Sequence, residues 1–382
     1  MDDAVRMVAS LVNQGDVEQA VALSEQILNS APDHPEALYV AAGVFWRHGD
    51  RGRAIDLQRR LIVCVPAEPR HHTRLIQFLQ ETGDLDGALK AGGAAVKVCP
   101  PDPLLLNAHG LLEFNAGRTA DSLATFDRAI RNFPNNATGH RNRSLPLLAD
   151  GRMEEAVASF SKGLTPWTKA VEDEDDPPAE NLSETYDSLA NSYDANPMQQ
   201  TWGKKTAGIV HDIAGGDRIE SLLDVCCGTG AVGNNLTAEV SRLVGIDLSP
   251  GMLTQAQASG KYHDLIEADM IPGMEALNEQ FHVLTCSCAL YHHPELSNFF
   301  RHSARLLIAE GHLVFSVDPA GDDVRIGAVT PGEFAHSRAY LRELAAAFDF
   351  DEVSISIGVH RAYPGFWCVF RRRRYPDVNK HD

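Results

Sequence analysis

The residues with the clearest chemical potential lie at 221–252, SLLDVCCGTGAVGNNLTAEVSRLVGIDLSPGM, where acids and glycines interrupt apolar runs. Leu222 to Val225 reads as a buried strand broken only by Asp224. Cys227-Gly228-Thr229-Gly230 reads as a turn opening a helix, and Leu243 to Ile246 as a second buried strand ending on Asp247. This is one half of a nucleotide-binding α/β unit. Glycines 228, 230 and 233 satisfy G-x-G-x-x-G, and Asp247 follows the first by 19 residues, so a dinucleotide is one candidate ligand. Asp224 argues against it, because a carboxylate at the mouth of that strand repels phosphate and suits a cation.

S-adenosylmethionine (SAM) is such a ligand, with an ammonium, a sulfonium and a ribose but no phosphate. Asp247 can then accept from both ribose hydroxyls. A third strand, Asp264 to Ala268, ends on Asp269, placed to accept from the adenine amino group while Met270 packs on the ring. Three successive strands ending in or beside an acid favour SAM. A fourth strand, Phe281 to Leu290, runs into Tyr291-His292-His293-Pro294, and after a helix over Glu295 to Ala309 a fifth, His312 to Val317, ends at Asp318. Strand ends on this side of an open α/β sheet face the ligand crevice, so Tyr291, His292 and Asp318 are candidates to meet a substrate. Alternatively, the two histidines cap the following helix or satisfy backbone groups. The tail reads as a helix after a loop over 332–350, then a pair of strands at 353–361 and 365–372.

The positioning elements need a long chain, and 382 residues with 44% hydrophobic and 23% charged composition suffice for two domains with proper cores. Lys and Arg number 34 against 52 acids, a net charge of −18 that opposes nucleic-acid backbones and anionic membranes. The start MDDAVRM lacks a secretory layout and no apolar run approaches membrane-spanning length, which predicts a cytoplasmic protein. Seven cysteines are an odd number for a disulfide framework. Cys226-Cys227 and Cys286-x-Cys288 sit in apolar strands and read as small buried hydrophobes in preference to a metal or redox site, so no metal is expected. Arg371 to Arg374 reads as a solvated edge, with docking of an acidic partner as the alternative.

From residue 1 the chain repeats every 34 residues. Glycine recurs at 15, 49, 83, 117 and 151, proline at 32, 66, 100 and 134, and a small residue at Ala20, Ala54, Ala88, Ser122 and Ala156. That is the tetratricopeptide (TPR) period: each glycine ends helix A, each proline stops helix B, the aspartates at 16, 50 and 84 cap helix B, and the small residue lets the two helices approach. About five repeats fill an all-α solenoid over 1–168. Tyr39, Trp46, Arg47, Arg70 and Arg141 are among the residues expected to line its groove, a mixture suited to an extended peptide or acidic segment, with packing on the protein's own second domain as the alternative. Acids followed by two prolines mark a linker over 169–184, and a second domain occupies 185–382.

LLDVCCGTG, VGIDLSPGML, IEADM, VLTCSCALYHH and GHLVFSVD resemble the ordered motifs of class I SAM-dependent methyltransferases over about residues 185 to 370. The resemblance implies a Rossmann-like α/β domain with a mostly parallel seven-stranded sheet and an antiparallel terminal strand. Its cofactor set is Asp224, Cys226, Gly228, Gly230, Asp247, Leu248, Met252, Asp269 and Met270, with glycine usual in the family where Cys226 stands. It also implies that the segment from Glu184 folds over the pocket, which brings Tyr186, Tyr193 and Asp194 to the cofactor; the alternative is that the tyrosines pack on the sheet. YHDLIEAD, FSVDP and FAHSRAYL resemble a narrower group, bacterial predicted methyltransferases that carry TPR repeats. His336 and Arg338 are candidates for the acceptor side. Methyl transfer needs alignment and, for a protonated acceptor, a base: His292 first, His293 second, with Tyr291 beside them. The expected acceptor is a small molecule, or a protein or carrier-bound group recruited by the repeats. The rival readings are an interaction scaffold with a SAM-sensing or inactive module, and an NAD-dependent oxidoreductase.

Overall fold

The computed structural model describes residues 2–168, 179–195, 197–216 and 218–374. The chain divides into two compact units, Met1–Asp150 and Gly151–Asp382.

In the first unit the 34-residue period becomes helix pairs: α1 (Asp2–Asn13) with α2 (Val17–Ser30), α3 (Pro35–His48) with α4 (Arg51–Cys64), α5 (Pro69–Glu81) with α6 (Leu85–Val98), α7 (Pro103–Asn115) with α8 (Thr119–Asn132), and then α9 (Ala137–Ala149). Gly15, Gly49, Gly83 and Gly117 all have positive φ, which reverses the chain after each A helix at no Cβ cost. Asp16, Asp50 and Asp84 each accept from the backbone N–H three residues on, satisfying donors that the helix leaves unpaired. Ala20, Ala54, Ala88 and Ser122 are fully buried, as close approach of neighbouring helices requires.

The second compact unit begins at Gly151. Helix α10 (Met153–Ser161) and strand β1 (Thr165–Pro166) belong to it. The reason is packing: Phe160 is fully buried with Ala320 and Ala335, the Gly321 N–H donates to Ser161 Oγ at 2.7 Å, and Arg338 forms a two-point ion pair with Glu154. Most of the expected linker, 169–178, lies outside the described residues.

The remaining elements of this unit are α11 (Ala179–Leu189), α12 (Pro197–Ala214), β2 (Arg218–Ile219), β3 (Leu222–Val225), α13 (Ala231–Asn235), β4 (Glu239–Val240), β5 (Leu243–Asp247), α14 (Pro250–Ala258), β6 (Asp264–Glu267), α15 (Met270–Ala276), β7 (Phe281–Cys286), α16 (Ser297–Leu306), β8 (Leu307–Ala320), β9 (Ile326–Thr330), β10 (Glu333–Ser337), α17 (Arg338–Ala347), β11 (Phe350–His360) and β12 (Tyr363–Arg372). The seven-stranded order is β6-β5-β3-β7-β8-β12-β11, parallel from β6 to β8, with β12 antiparallel to both neighbours. Apolar clusters cover both faces. One, around Phe299, Phe300, Phe315 and Phe370, lies under α15 to α17; the other joins Val210 of α12 and Leu253 of α14 to the opposite face. Chain order reverses at β3, so the crevice opens at the carboxyl ends of β3, β5 and β7.

Two expectations change. The segment 332–350 was expected to be a helix after a loop, but Glu333–Ser337 forms β10, parallel to the far end of β8, and β9 and β1 extend the sheet beyond it. The fourth strand stops at Cys286 and not at Leu290, because Cys288 turns into a left-handed backbone conformation and a short 3-10 turn follows. The basic run is a paired edge, with Arg371 near Glu310, Arg372 near Asp349 and Arg373 on Asp351. Among the described residues no helix is long and apolar enough to cross a membrane.

Candidate functional site

At the end of β5 the Asp247 carboxylate is 7% exposed and doubly clamped. Its Oδ2 accepts from the Gly228 N–H at 2.7 Å and its Oδ1 from the Ser249 N–H at 3.0 Å. These bonds fix its plane across the glycine turn while each oxygen keeps further acceptor capacity for a ligand. Burial raises its pKa, although the same backbone donors pull it down. The cleft it borders has a volume of ≈ 430 Å³ and is lined by Leu182, Tyr186, Tyr193, Cys226, Gly228, Leu248, Met252, Asp269, Ser287, Cys288, Ala289, His292, His293 and Gly332. That volume falls within the range of about 300–1,000 Å³ common for small-molecule sites.

The structure gives three of the expected cofactor residues other partners. Asp224 is 1% exposed and both its oxygens are engaged, by the Tyr262 hydroxyl at 2.6 Å and the Thr285 hydroxyl at 2.7 Å. It fastens β3 to β7 and to the turn before β6 and is not among the residues that line the cleft; burial raises its pKa to about 6 despite these donors. Met270, the first residue of α15, packs into the core and is not part of the cleft's lining, whereas Met252 is. Gly230, at φ +82, has the Tyr262 ring where a Cβ would stand and serves close packing. Asp269 does face the cleft, with one oxygen accepting from the Met270 N–H at 2.7 Å. Cys226 also lines it, at φ +56, a backbone that favours the glycine usual in the resembled family.

Helix α11 and the turn Tyr193–Ala195 close over the cleft. Asp187 accepts from the Ser249 hydroxyl at 2.5 Å and the Gly251 N–H at 2.8 Å, Ser183 donates to the Leu248 carbonyl, and Thr229 donates to Asp194 at 2.8 Å. Gly251 is needed here: a Cβ would meet Asp187 and Ala190. These latches carry Tyr186 and Tyr193 onto the pocket. The Tyr186 hydroxyl lies 3.0 Å from His292 Nε2 and 3.1 Å from the Tyr291 hydroxyl.

On this wall His292 and His293 line the cleft, whereas Tyr291 stands behind Tyr186 with the Arg361 guanidinium 3.9 Å over its ring. Burial first, then His293 and Arg361, lowers the His292 pKa to about 4, and burial lowers that of His293. Asp318 does not reach the cleft: it holds His360 at 2.7 Å and Arg361 at 3.1 Å. His336 is fully buried and donates to the His293 and Pro294 carbonyls, which holds the loop that bears the histidines; Arg338 is spent on Glu154. Of the cysteines, 227 and 286 are buried as expected, but 226 and 288 are half buried and line the cleft.

A family model described as a methyltransferase domain matches residues 222–311, and one described as a tetratricopeptide repeat matches 6–69 and 107–171. The chain joins a methyltransferase domain to tetratricopeptide repeats. For a methyltransferase domain the sequence reading expects SAM as the cofactor. The chain is 28% identical over 149 residues to a ubiquinone biosynthesis O-methyltransferase of Pseudomonas savastanoi pv. phaseolicola, a match covering 37% of this chain and 60% of that one. It is 36% identical over 78 residues to an uncharacterised methyltransferase of Schizosaccharomyces pombe, covering 19% and 28%. Among solved structures, the SAM-bound magnesium protoporphyrin IX methyltransferase of Synechocystis PCC 6803 is similar at a TM-score of 0.37 and 21% identity, over 46% of this chain and 79% of that one.

Proposed function

We propose that the C-terminal unit transfers a methyl group from SAM to a hydroxyl acceptor. The observation that carries this reading is the Asp247 carboxylate, clamped by two backbone donors at the edge of a cleft whose other wall is Tyr186, His292 and His293. The lining fits the cofactor: Asp247 would hold the ribose hydroxyls, Asp269 the adenine amino group, and Leu248 and Met252 would flank the purine. SAM supplies a methyl group on a sulfonium, so transfer is an in-line displacement in which the protein aligns the partners and excludes water. The hydroxyl is favoured by the O-methyltransferase relatives.

His293 is the better supported base. Its ring lines the cleft without a hydrogen-bond partner among the described residues, and its lowered pKa keeps it neutral and able to take a proton. His292, ranked first on sequence, has Nε2 engaged by Tyr186 and so serves to position that wall. The solenoid supports recruitment of an acidic segment: Tyr39 is 38% exposed beneath the Arg74 guanidinium at 4.6 Å, and Arg47 has no ion pair among the described residues. Labelled methyl transfer from SAM into a cell extract, split into small-molecule and protein fractions, tests the reading. The expected result is a labelled methyl ether that His293→Ala diminishes about 100-fold or more. A protein that binds SAM yet labels nothing would instead favour the scaffold.

A further inference from the structure

Arg361 stands where the backbone disfavours a side chain. Strands β11 and β12 pair through His360 and Tyr363, so Arg361 and Ala362 form the tight turn between them, and Arg361 takes the left-handed conformation at φ +57 that such turns usually give to glycine or asparagine. A role in the turn alone does not call for arginine.

Its guanidinium meets three side chains from three other segments. One arm donates to Asp318 Oδ2 at 3.1 Å near the end of β8, where Asp318 Oδ1 is already held by His360 at 2.7 Å. The other arm donates to Glu333 Oε1, while Glu333 Oε2 accepts from the Thr330 hydroxyl at 2.9 Å. That carboxylate therefore spans the turn between β9 and β10, whose Gly332, at φ +75, lines the cleft. The guanidinium carbon also sits 3.9 Å from the centre of the Tyr291 ring in the turn after β7, and the Tyr291 hydroxyl lies 3.1 Å from that of Tyr186. Arg361 does not line the cleft. Its contacts Glu333 and Tyr291 each adjoin a residue that does, Gly332 and His292.

We infer that Arg361 is a positioning residue that locks the β9–β10 turn to the turn after β7 and so sets the acceptor half of the cleft. What that wall receives rests on the methyl-transfer reading; the lock itself does not. A guanidinium suits the task, because its fork reaches two carboxylates while its face stays on the ring, and the ammonium of lysine reproduces only part of this. With two acids neutralising it, the cation is engaged in the wall and not offered to a ligand.

The test compares Arg361→Met and Arg361→Lys with Arg325→Met, which loses an ion pair to Glu343 and a contact over the Tyr340 ring away from the cleft lining. Thermal melts establish that each full-length chain is folded, and Arg361→Lys decides the matter should Arg361→Met fail that check. Amide hydrogen exchange in 290–293 and 330–334 should speed up about tenfold or more in Arg361→Met and less in Arg361→Lys, with 222–228 unchanged and no such effect in Arg325→Met. SAM affinity by calorimetry should stay within about twofold, while the amount of cell extract that half-saturates methyl labelling rises roughly tenfold in Arg361→Met and recovers to within about threefold in Arg361→Lys. A wild-type chain that labels nothing would remove the methyl-transfer reading, and the exchange comparison would still judge the lock. Unchanged exchange in both segments, an equal effect in Arg325→Met, or a loss of SAM affinity as large as the loss of labelling would overturn the inference.

Discussion

Tyr262 donates its phenolic hydrogen to Asp224 at 2.6 Å inside the core, although the two are 38 residues apart. The bond fixes the strand end from which the glycine turn springs. Because burial lifts the Asp224 pKa to about 6, above its ordinary value of 3.8, the fold favours the neutral acid, and stability is lost as pH rises from about 4 through 6. Tyr262→Phe removes a donor to the ionised form. Its cost in urea unfolding should be about 1.5–3 kcal/mol at pH 8 and nearer 1 kcal/mol at pH 4. A cost independent of pH would show that Asp224 does not ionise in the folded protein.

Cys226 bears a side chain where its backbone, at φ +56, favours none. Cys226→Gly relieves roughly 1–2 kcal/mol of left-handed strain but loses the side chain's packing against the core cluster and adds freedom to the unfolded chain. Stability should therefore stay within about 1 kcal/mol, while SAM affinity, measured calorimetrically, improves a few-fold, roughly 0.5–1 kcal/mol. Weaker binding would mean that the thiol contacts the ligand favourably.

Asp187 latches the covering helix to the start of α14, and its two donors depress its pKa. A depressed carboxylate keeps its contribution at neutral pH and loses it only as pH falls through that lowered value. Asp187→Ala should speed hydrogen exchange in 182–189 at pH 7 and weaken SAM binding, with the thermal midpoint nearly unchanged. Unaltered exchange would assign closure to the Ser183–Leu248 and Thr229–Asp194 bonds.

In the solenoid, Ala54 is fully buried while Val63 is 82% exposed. Ala54→Leu should cost about 1–3 kcal/mol by overpacking, and Val63→Ala should stay within about 0.5 kcal/mol, both read from urea melts. Equal effects would break the repeat register.

What could be read from the sequence was local or periodic. The glycine, aspartate and proline columns each act within one turn of their own residue, and β3, β5 and β7 are short, largely apolar runs bounded by polar turns. Residues whose work depends on distant partners were opaque. Asp224 looked like a ligand group because nothing near it announces Tyr262 or Thr285. Strand β10 read as helix because its partner is the far end of β8. The one usable signal for Asp224 was general: a buried carboxylate needs donors.

The most direct measurement is calorimetric titration of SAM into the wild-type chain and into Asp247→Ala. The account predicts one-site binding that the variant weakens at least about tenfold, with no heat from a nicotinamide dinucleotide. Undiminished SAM binding by the variant, or binding of the dinucleotide in place of SAM, would contradict it.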